Sequence, residues 1–390
     1  MLVSSQLTVS SISRDAWVEI DLAKIESNIK TIRSWLADST ALMAVVKADG
    51  YGHGAVDVAR SAVAAGAEWL GVATVDEGLE LRKADPSTPI LILGPAPERA
   101  VKYCIEADLG LTVTNIFDLA QTDAAANQLK RNAQIHLKID TGMHRIGASI
   151  DQVTQLIDSI GTHKNLRLMS VFSHLAKADE HDFTKKQDDA LRGSLEKVAK
   201  NFPSLLVSNG GSVMTHLASG DAARLHPFTH HDMVRVGLTM YGLASRTVSD
   251  VVSPVMSVRG RINQIRDIAP GESIGYNLTW TADSDARIGS IPIGYADGVD
   301  RGLSNRMQGI LHGKMIPQAG TISMDQMLFD ITSVPEAKLG DTITLIGNDG
   351  DNTIHLADWA NMLDTITYEL ACRMRVRLPR ICTRGETIQV

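Results

Sequence analysis

The sequence predicts an α/β fold, an N-terminal (β/α)8 TIM-type barrel followed by a mostly-β C-terminal domain. Three observations carry that prediction. Short apolar runs alternate with helical segments over the first two-thirds of the chain. After about Leu243 the pattern changes to short alternating segments punctuated by Gly, Pro and Asp. The length of 390 residues suits one large α/β domain and a smaller one.

The candidate barrel strands are ALMAVVKAD (41–49), WLGVAT (69–74), PILILG (89–94), GLTVTN (110–115), QIHLKID (134–140), LMSVFSHL (168–175), SLLVSNG (204–210) and MVRVGL (233–238). Each is short and apolar on both faces, as strands buried in a parallel sheet are. Between them, HGAVDVARSAVAAGA (53–67), IDQVTQLIDSIGT (150–162) and DDALRGSLEKVAKNF (188–202) place apolar residues at helical spacing. Roughly eight such units in about 230 residues match a closed barrel, with a doubly wound open sheet as the alternative. Segments 1–15 read as an extension, 16–245 as the barrel and 246–390 as the β-rich domain, interrupted by one short helix near 356–374.

Composition narrows the function. Hydrophobic residues make up 44% and charged residues 21%, so a disordered or collagen-like chain is excluded. The formal net charge of −7 gives no electrostatic reason to expect nucleic acid. No apolar run reaches the roughly 18 residues of a membrane helix. The first residues lack the basic and apolar regions of a signal peptide. Cys104, Cys372 and Cys382 form neither a disulfide framework nor a CxxC pair, so reduced thiols in the cytoplasm are expected.

A barrel enzyme carries its chemistry at the C-terminal ends of its strands. Lys47 ends the first run, within VVKADGYGHGA. It is either a surface lysine or one whose amine is depressed enough to form a Schiff base. Gly50, Gly52 and Ala55 fit a weak GxGxxA dinucleotide pattern, or they simply let the backbone turn beside a phosphate. Lys138 and Asp140 share one strand face, and Arg145 follows on the loop, placed to clamp a carboxylate or merely to join a surface cluster. His174, Asn209–Gly210 and Arg235 fall at the next three strand ends. A buried arginine needs a partner. His216, His226, His230 and His231 lack a metal-binding spacing and read as a solvated loop, and no metal site is expected.

With these residues in place, the chain resembles the alanine racemases, fold-type III pyridoxal-phosphate enzymes. The resemblance runs from about Ala16 to Cys382. AVVKADGYGHG (44–54) carries it most specifically, with KIDTGMHRIG (138–147), MVRVGLTMYG (233–242), IPIGYADG (291–298) and ISMDQM (322–327) in order. It implies that Lys47 holds pyridoxal 5'-phosphate and is one catalytic base. Tyr276 would be the second base. Arg145 would bind the substrate carboxylate, oriented by a carbamylated Lys138. Arg235 would face the pyridine nitrogen, with His174 bridging towards Tyr276. Tyr51, Gly237 and the Asn209–Gly210 turn would meet the phosphate, and Met324 would line the substrate pocket. Tyr276 and Met324 would come from the second subunit of a homodimer.

Three positions depart from the family pattern: Gly210 replaces a phosphate-binding serine, Val376 a tyrosine, and Asn277 a commoner glycine. The implied activity is interconversion of L- and D-alanine, which supplies D-alanine for peptidoglycan. Competing readings are a racemase of broader specificity, a decarboxylase of the same architecture, a lone-barrel cofactor-binding protein and a dinucleotide oxidoreductase. Arg145 and Tyr276 argue against decarboxylation, and the large β domain argues against a mere binding protein.

Overall fold

A computed structural model describes residues 12–201, 213–243, 250–374 and 377–385. The chain divides into two compact units, one of residues 25–50 and 55–253, the other of residues 1–24, 51–54 and 254–390.

The first unit is a closed barrel of eight parallel strands. They are Ala41–Val45, Trp69–Val72, Ile90–Ile92, Gly110–Val113, Ala133–Lys138, Leu166–Phe172, Met214–Ser219 and Met233–Val236. The first pairs with the eighth, Leu42 opposite Val234 and Met43 opposite Arg235, which closes the ring. Seven strands lie within or beside the runs expected from sequence. The remaining one does not. Residues 204–210 lie outside the described residues, and the seventh barrel strand is Met214–Ser219. MTHLAS lacks an apolar run because its inward side chain, His216, is polar and is satisfied by hydrogen bonds inside the barrel.

The same alternation builds the interior in layers. Met43, Trp69, Leu91, Phe172 and Met233 form a buried apolar cluster. Side chains two residues further along their strands share that face. These include Lys138 above His136, and Arg235 above Met233. Arg235 stands opposite Met43 and Lys138 opposite Phe172, so the cations adjoin the apolar cluster directly. The helix Val75–Ala84 starts with a capping box in which Thr74 and Glu77 satisfy each other's backbone N–H groups.

The second unit is built around a ten-stranded sheet. The sequence places the barrel's start at residue 16, but the strand Ala16–Asp21 belongs to this sheet. It lies between Met256–Arg261 (antiparallel) and Arg380–Thr383 (parallel). AWVEID opens with an apolar run, Ala16–Trp17–Val18, as barrel strands do and ends in alternation as the β-rich strands do, so its pattern alone does not assign it. The helical segment near 356–374 is two helices, Leu356–Leu363 and Thr367–Arg373, broken by Asp364 in a left-handed conformation. No helix among the described residues is long and apolar enough to cross a membrane.

Within the barrel, Leu91 is fully buried in the apolar layer. Leu91→Ala should lower unfolding free energy by about 2–5 kcal/mol through lost transfer energy and the cavity left behind, read as a shift in denaturation midpoint. A shift near zero would mean that this layer is not the packed core.

Candidate active site

Lys47 follows the first barrel strand and is partly buried. The backbone after it does something unusual. Ala48, Asp49 and Tyr51 have φ of +52°, +53° and +53°, so the turn Lys47–Gly52 winds left-handed. Each non-glycine residue there costs roughly 1–2 kcal/mol. Local bonds hold the turn in place: the Ala48 N–H donates to Glu77 Oε1 at 2.7 Å, Gly50 N–H to the Val46 carbonyl at 2.9 Å, and Ala55 N–H to Asp49 Oδ1 at 2.9 Å. The glycine-rich segment is thus a strained turn that fixes the lysine, and not the glycine-rich entry into a right-handed helix that a dinucleotide fingerprint requires.

Lys138 ends the fifth strand and is 6% exposed. Burial, together with the cations of Arg235, Arg145 and Lys47, lowers its amine from 10.5 to about 8. Lys138 Nζ and the Arg235 guanidinium both lie over the Phe172 ring, 5.5 and 5.4 Å from its centroid, so these two cations share one mouth. Asp140 does not neutralise them. Desolvation pushes its carboxyl up, but backbone N–H groups of His144 and Gly142 outweigh this and hold it below its usual range. It organises the 141–147 loop, whose ends are pinned by Ala148 N–H to Lys138 O at 2.8 Å and Asp140 N–H to Ala148 O at 2.9 Å. Arg145 is exposed on that loop and makes no hydrogen bond or ion pair with any described residue.

Arg235 sits on the eighth strand, 5% exposed. Burial lowers its pKa to about 9, so it remains charged at neutral pH. Among the described residues no carboxylate meets it. Nη1 donates to His216 Nδ1 at 2.8 Å, and Nη2 to the Ser173 and Leu217 carbonyls at 2.7 and 3.0 Å and to His174 Nδ1 at 3.2 Å. Its Nε takes part in none of these bonds. Burial, then the charge of Arg235, pushes His174 down to about 3, so it is neutral at working pH.

Asn209, Gly210 and Val376 lie outside the described residues. The residues that do end the seventh strand are Ser219 and Gly220, with Ser219 opposite Arg235. Only glycine fits at 220, because a Cβ would fall 2.1 Å from Thr239 Oγ1. Gly237 follows the eighth strand and opens the turn Leu238–Tyr241.

The histidine-rich stretch is not a solvated loop. His216 is fully buried, and His226 and His230 are 7% and 8% exposed. His226 and His230 bond the carbonyls of Ala178 and Ala223, and His231 bonds Asp188 Oδ1 at 2.6 Å. Two of these partners, Ala178 and Asp188, are more than forty residues away and the third is a backbone carbonyl, so the local pattern carried no sign of burial. His216, Ser170 and Glu77 are site residues that sequence reading missed. Only Glu77 left a signal, the capping box TVDE.

In the second unit, Tyr276 and Met324 are 69% and 51% exposed. Thr279 and Thr321 share a 3.0 Å hydrogen bond that ties the Tyr276 turn to the segment leading to Met324. Asn277 adopts φ +62°, a conformation asparagine tolerates better than most residues, so a glycine is dispensable there. Gly294 allows IPIGYADG to press against ISMDQM, since a Cβ would lie 2.4 Å from the Met324 carbonyl. Tyr295 and Ala296 N–H groups then bond the Ser323 and Met324 carbonyls at 3.0 and 3.1 Å. Asp297, 1% exposed, is gripped by both Arg14 nitrogens at 2.6 and 2.7 Å.

A parallel barrel with a lysine and an arginine facing one cationic mouth, joined in one chain to a β-rich unit, defines the class: a two-unit barrel enzyme equipped for an anionic small molecule. Residues 20–245 match the family model of the alanine racemase N-terminal domain, and residues 255–382 that of the C-terminal domain. An alanine racemase from Synechocystis is 40% identical, over 95% of this chain and 99% of the relative. One from Nostoc is 38% identical, over 96% and 97%. The solved alanine racemase of Clostridium difficile superposes with a TM-score of 0.89 at 30% identity, covering 97% of this chain and all of that one. The chain belongs to the alanine racemase family.

Burial holds His136 and His174 near 3 and His216 well below 6.5. Their folded pKa values lie below the unfolded value, so unfolding takes up protons between those limits, and stability falls as pH drops through about 6.5. Unfolding at pH 5 should take up about three more protons than at pH 8 from these groups, measured from the pH dependence of denaturation. Equal stability at the two values would contradict their buried, neutral state.

Proposed function

We propose that this chain interconverts L-alanine and D-alanine with pyridoxal phosphate as cofactor. It would act in the cytoplasm as a homodimer in which Tyr276 and Met324 of the partner subunit complete each barrel mouth. The observation that carries this reading is Arg235, a buried cation that among the described residues has no carboxylate partner and no bond at Nε, close enough to Lys138 for its charge to act there alongside that of Lys47. Those residues fit the cofactor. Lys47 offers an amine to its aldehyde, and Arg235 a donor to its ring nitrogen. Tyr51, Ser219, Gly220 and Gly237 are the residues for its phosphate, with the Asn209–Gly210 turn assigned that role by resemblance alone. When bound, the cofactor supplies an electron sink that lets the α-proton leave.

The chain's own residues do the rest. Arg145, unengaged on its loop, can hold the substrate carboxylate through paired N–H bonds. Lys47 removes or returns the α-proton on one face, serving D-alanine. Tyr276 does so on the other, serving L-alanine, and its exposure in the single chain is what a residue completed by a second subunit would show. A tyrosine with a reference pKa of about 10 needs neighbouring positive charge to act as a base. The Arg235–His174 pair is the candidate source. Arg235 can only donate a hydrogen bond, so it would leave the ring nitrogen of a bound cofactor unprotonated and the sink weak. The proton is then returned before side reactions intervene.

Lys138 is suited to carbamylation, since an amine near 8 is partly neutral and nucleophilic at physiological pH. The carbamate anion would orient Arg145. Protein equilibrated with ¹³C-bicarbonate should show one carbamate resonance that disappears in Lys138→Ala. A resonance unaffected by the substitution would remove the assignment.

Chiral chromatography of L-alanine, L-serine and L-lysine incubated separately with the protein and pyridoxal phosphate tests the function. Alanine should racemise fastest. Retained chirality in all three, with cofactor bound at Lys47, would sink the proposal. In Tyr276→Phe, α-deuterium exchange should slow by about 10²–10⁴-fold for L-alanine and persist for D-alanine. Wild-type exchange of both enantiomers would refute the two-base assignment.

A further inference from the structure

Behind Arg235 runs a chain of hydrogen bonds that the reading above does not use. Arg235 Nη1 lies 2.8 Å from His216 Nδ1. His216 Nε2 lies 2.8 Å from Ser170 Oγ, and Ser170 Oγ lies 2.7 Å from His136 Nδ1. The four residues come from the fifth, sixth, seventh and eighth barrel strands. His136, Ser170 and His216 are fully buried. His216 also stacks on Phe172, with ring centroids 4.6 Å apart and planes at 11°, which fixes its ring plane.

The direction of every hydrogen follows from one chemical fact: a guanidinium only donates. His216 Nδ1 must therefore be the acceptor, and a neutral imidazole then carries its proton on Nε2. That N–H donates to Ser170 Oγ. The Ser170 hydroxyl hydrogen is left for His136 Nδ1, which must accept. His136 then holds its own proton on Nε2, and this buried atom is the one with no hydrogen-bond partner. The ring stands edge-on to Trp69, with centroids 5.6 Å apart and planes at 85°. The relay thus has a single consistent arrangement, with all its hydrogens pointing away from Arg235.

The other tautomer of His216 would place an N–H against the guanidinium. The guanidinium opposes that form, and the hydroxyl of Ser170, its hydrogen taken by His136, adds the acceptor that the Nε2–H of the remaining form needs.

We propose that Ser170 and His136 are positioning residues for the reaction: they lock His216 in its Nε2–H tautomer, so that a lone pair on Nδ1 always faces Arg235. With Nη1 held by His216 and Nη2 by Ser173, His174 and Leu217, only Nε is left to meet the cofactor. The inference rests on the reading of Arg235 as the residue that meets the cofactor's ring nitrogen.

The test is a two-bond ¹H–¹⁵N correlation spectrum of the holoenzyme labelled with ¹⁵N-histidine, with His216 assigned by its loss in His216→Gln. The wild type should show His216 in one form, protonated on Nε2 alone. In Ser170→Ala both tautomers should appear, and kcat should fall about tenfold with KM nearly unchanged, the size expected of a residue acting through another. A wild-type His216 protonated on Nδ1 would overturn the lock. So would a Ser170→Ala protein that keeps the single form and the full kcat. If Ser170→Ala does not fold, the wild-type spectrum still decides. A protein that shows the locked tautomer but racemises nothing would overturn the functional reading and leave the lock standing. An active racemase with mixed tautomers would do the reverse.

Discussion

The active site depends on the burial of one positive charge without a negative one. Taking a guanidinium out of water costs several kcal/mol, and a carboxylate is the usual compensation. Arg235 is compensated by two carbonyls and two imidazole nitrogens, gathered from the seventh strand and from the residues just after the sixth. Each of these acceptors is neutral, so the charge stays unneutralised and felt. Burial first, and then this charge, depresses His174, His216 and Lys138. The barrel can provide such acceptors only because its parallel strands all end their carbonyls and inward side chains at the same mouth. Fold and chemistry meet at this point: the closed sheet makes a carboxylate unnecessary, and without one the arginine acts as a donor of fixed charge.

A second constraint acts on the lysine. The left-handed turn after Lys47 is energetically unfavourable for Ala48, Asp49 and Tyr51, and it persists because Glu77, Asp49 and Val46 bond its backbone. Strain of this kind survives where surrounding bonds over-determine it. Here it sets where the amine emerges from the first strand. In the β-rich unit, close approach does the equivalent work. Gly294 lets two loops share backbone hydrogen bonds, so the segment bearing Met324 is held rigidly while its side chain stays exposed.

Much of this was legible in the sequence, and the exceptions share a cause. Seven barrel strands announce themselves as apolar runs because both of their faces are buried against apolar neighbours. Met214–Ser219 does not, because its inward position carries His216, and a buried polar side chain looks like a surface one until its partners are known. For the same reason His226, His230 and His231 read as solvated. Lys47, Lys138 and Arg235 were found as charges interrupting apolar strands. Ser170 was invisible: a serine within LMSVFSHL means nothing until His136 and His216 are seen on either side of it. Ala16–Asp21 shows a different limit, since alternation predicts a strand but not the sheet it joins.

As a donor of fixed charge, Arg235 would leave the ring nitrogen of the bound cofactor without a proton. The most direct measurement is the ¹⁵N chemical shift of the ring nitrogen in protein reconstituted with ¹⁵N-labelled pyridoxal phosphate. An unprotonated, hydrogen-bonded nitrogen that becomes protonated in Arg235→Glu is the result this account predicts. A nitrogen already protonated in the wild type would contradict it.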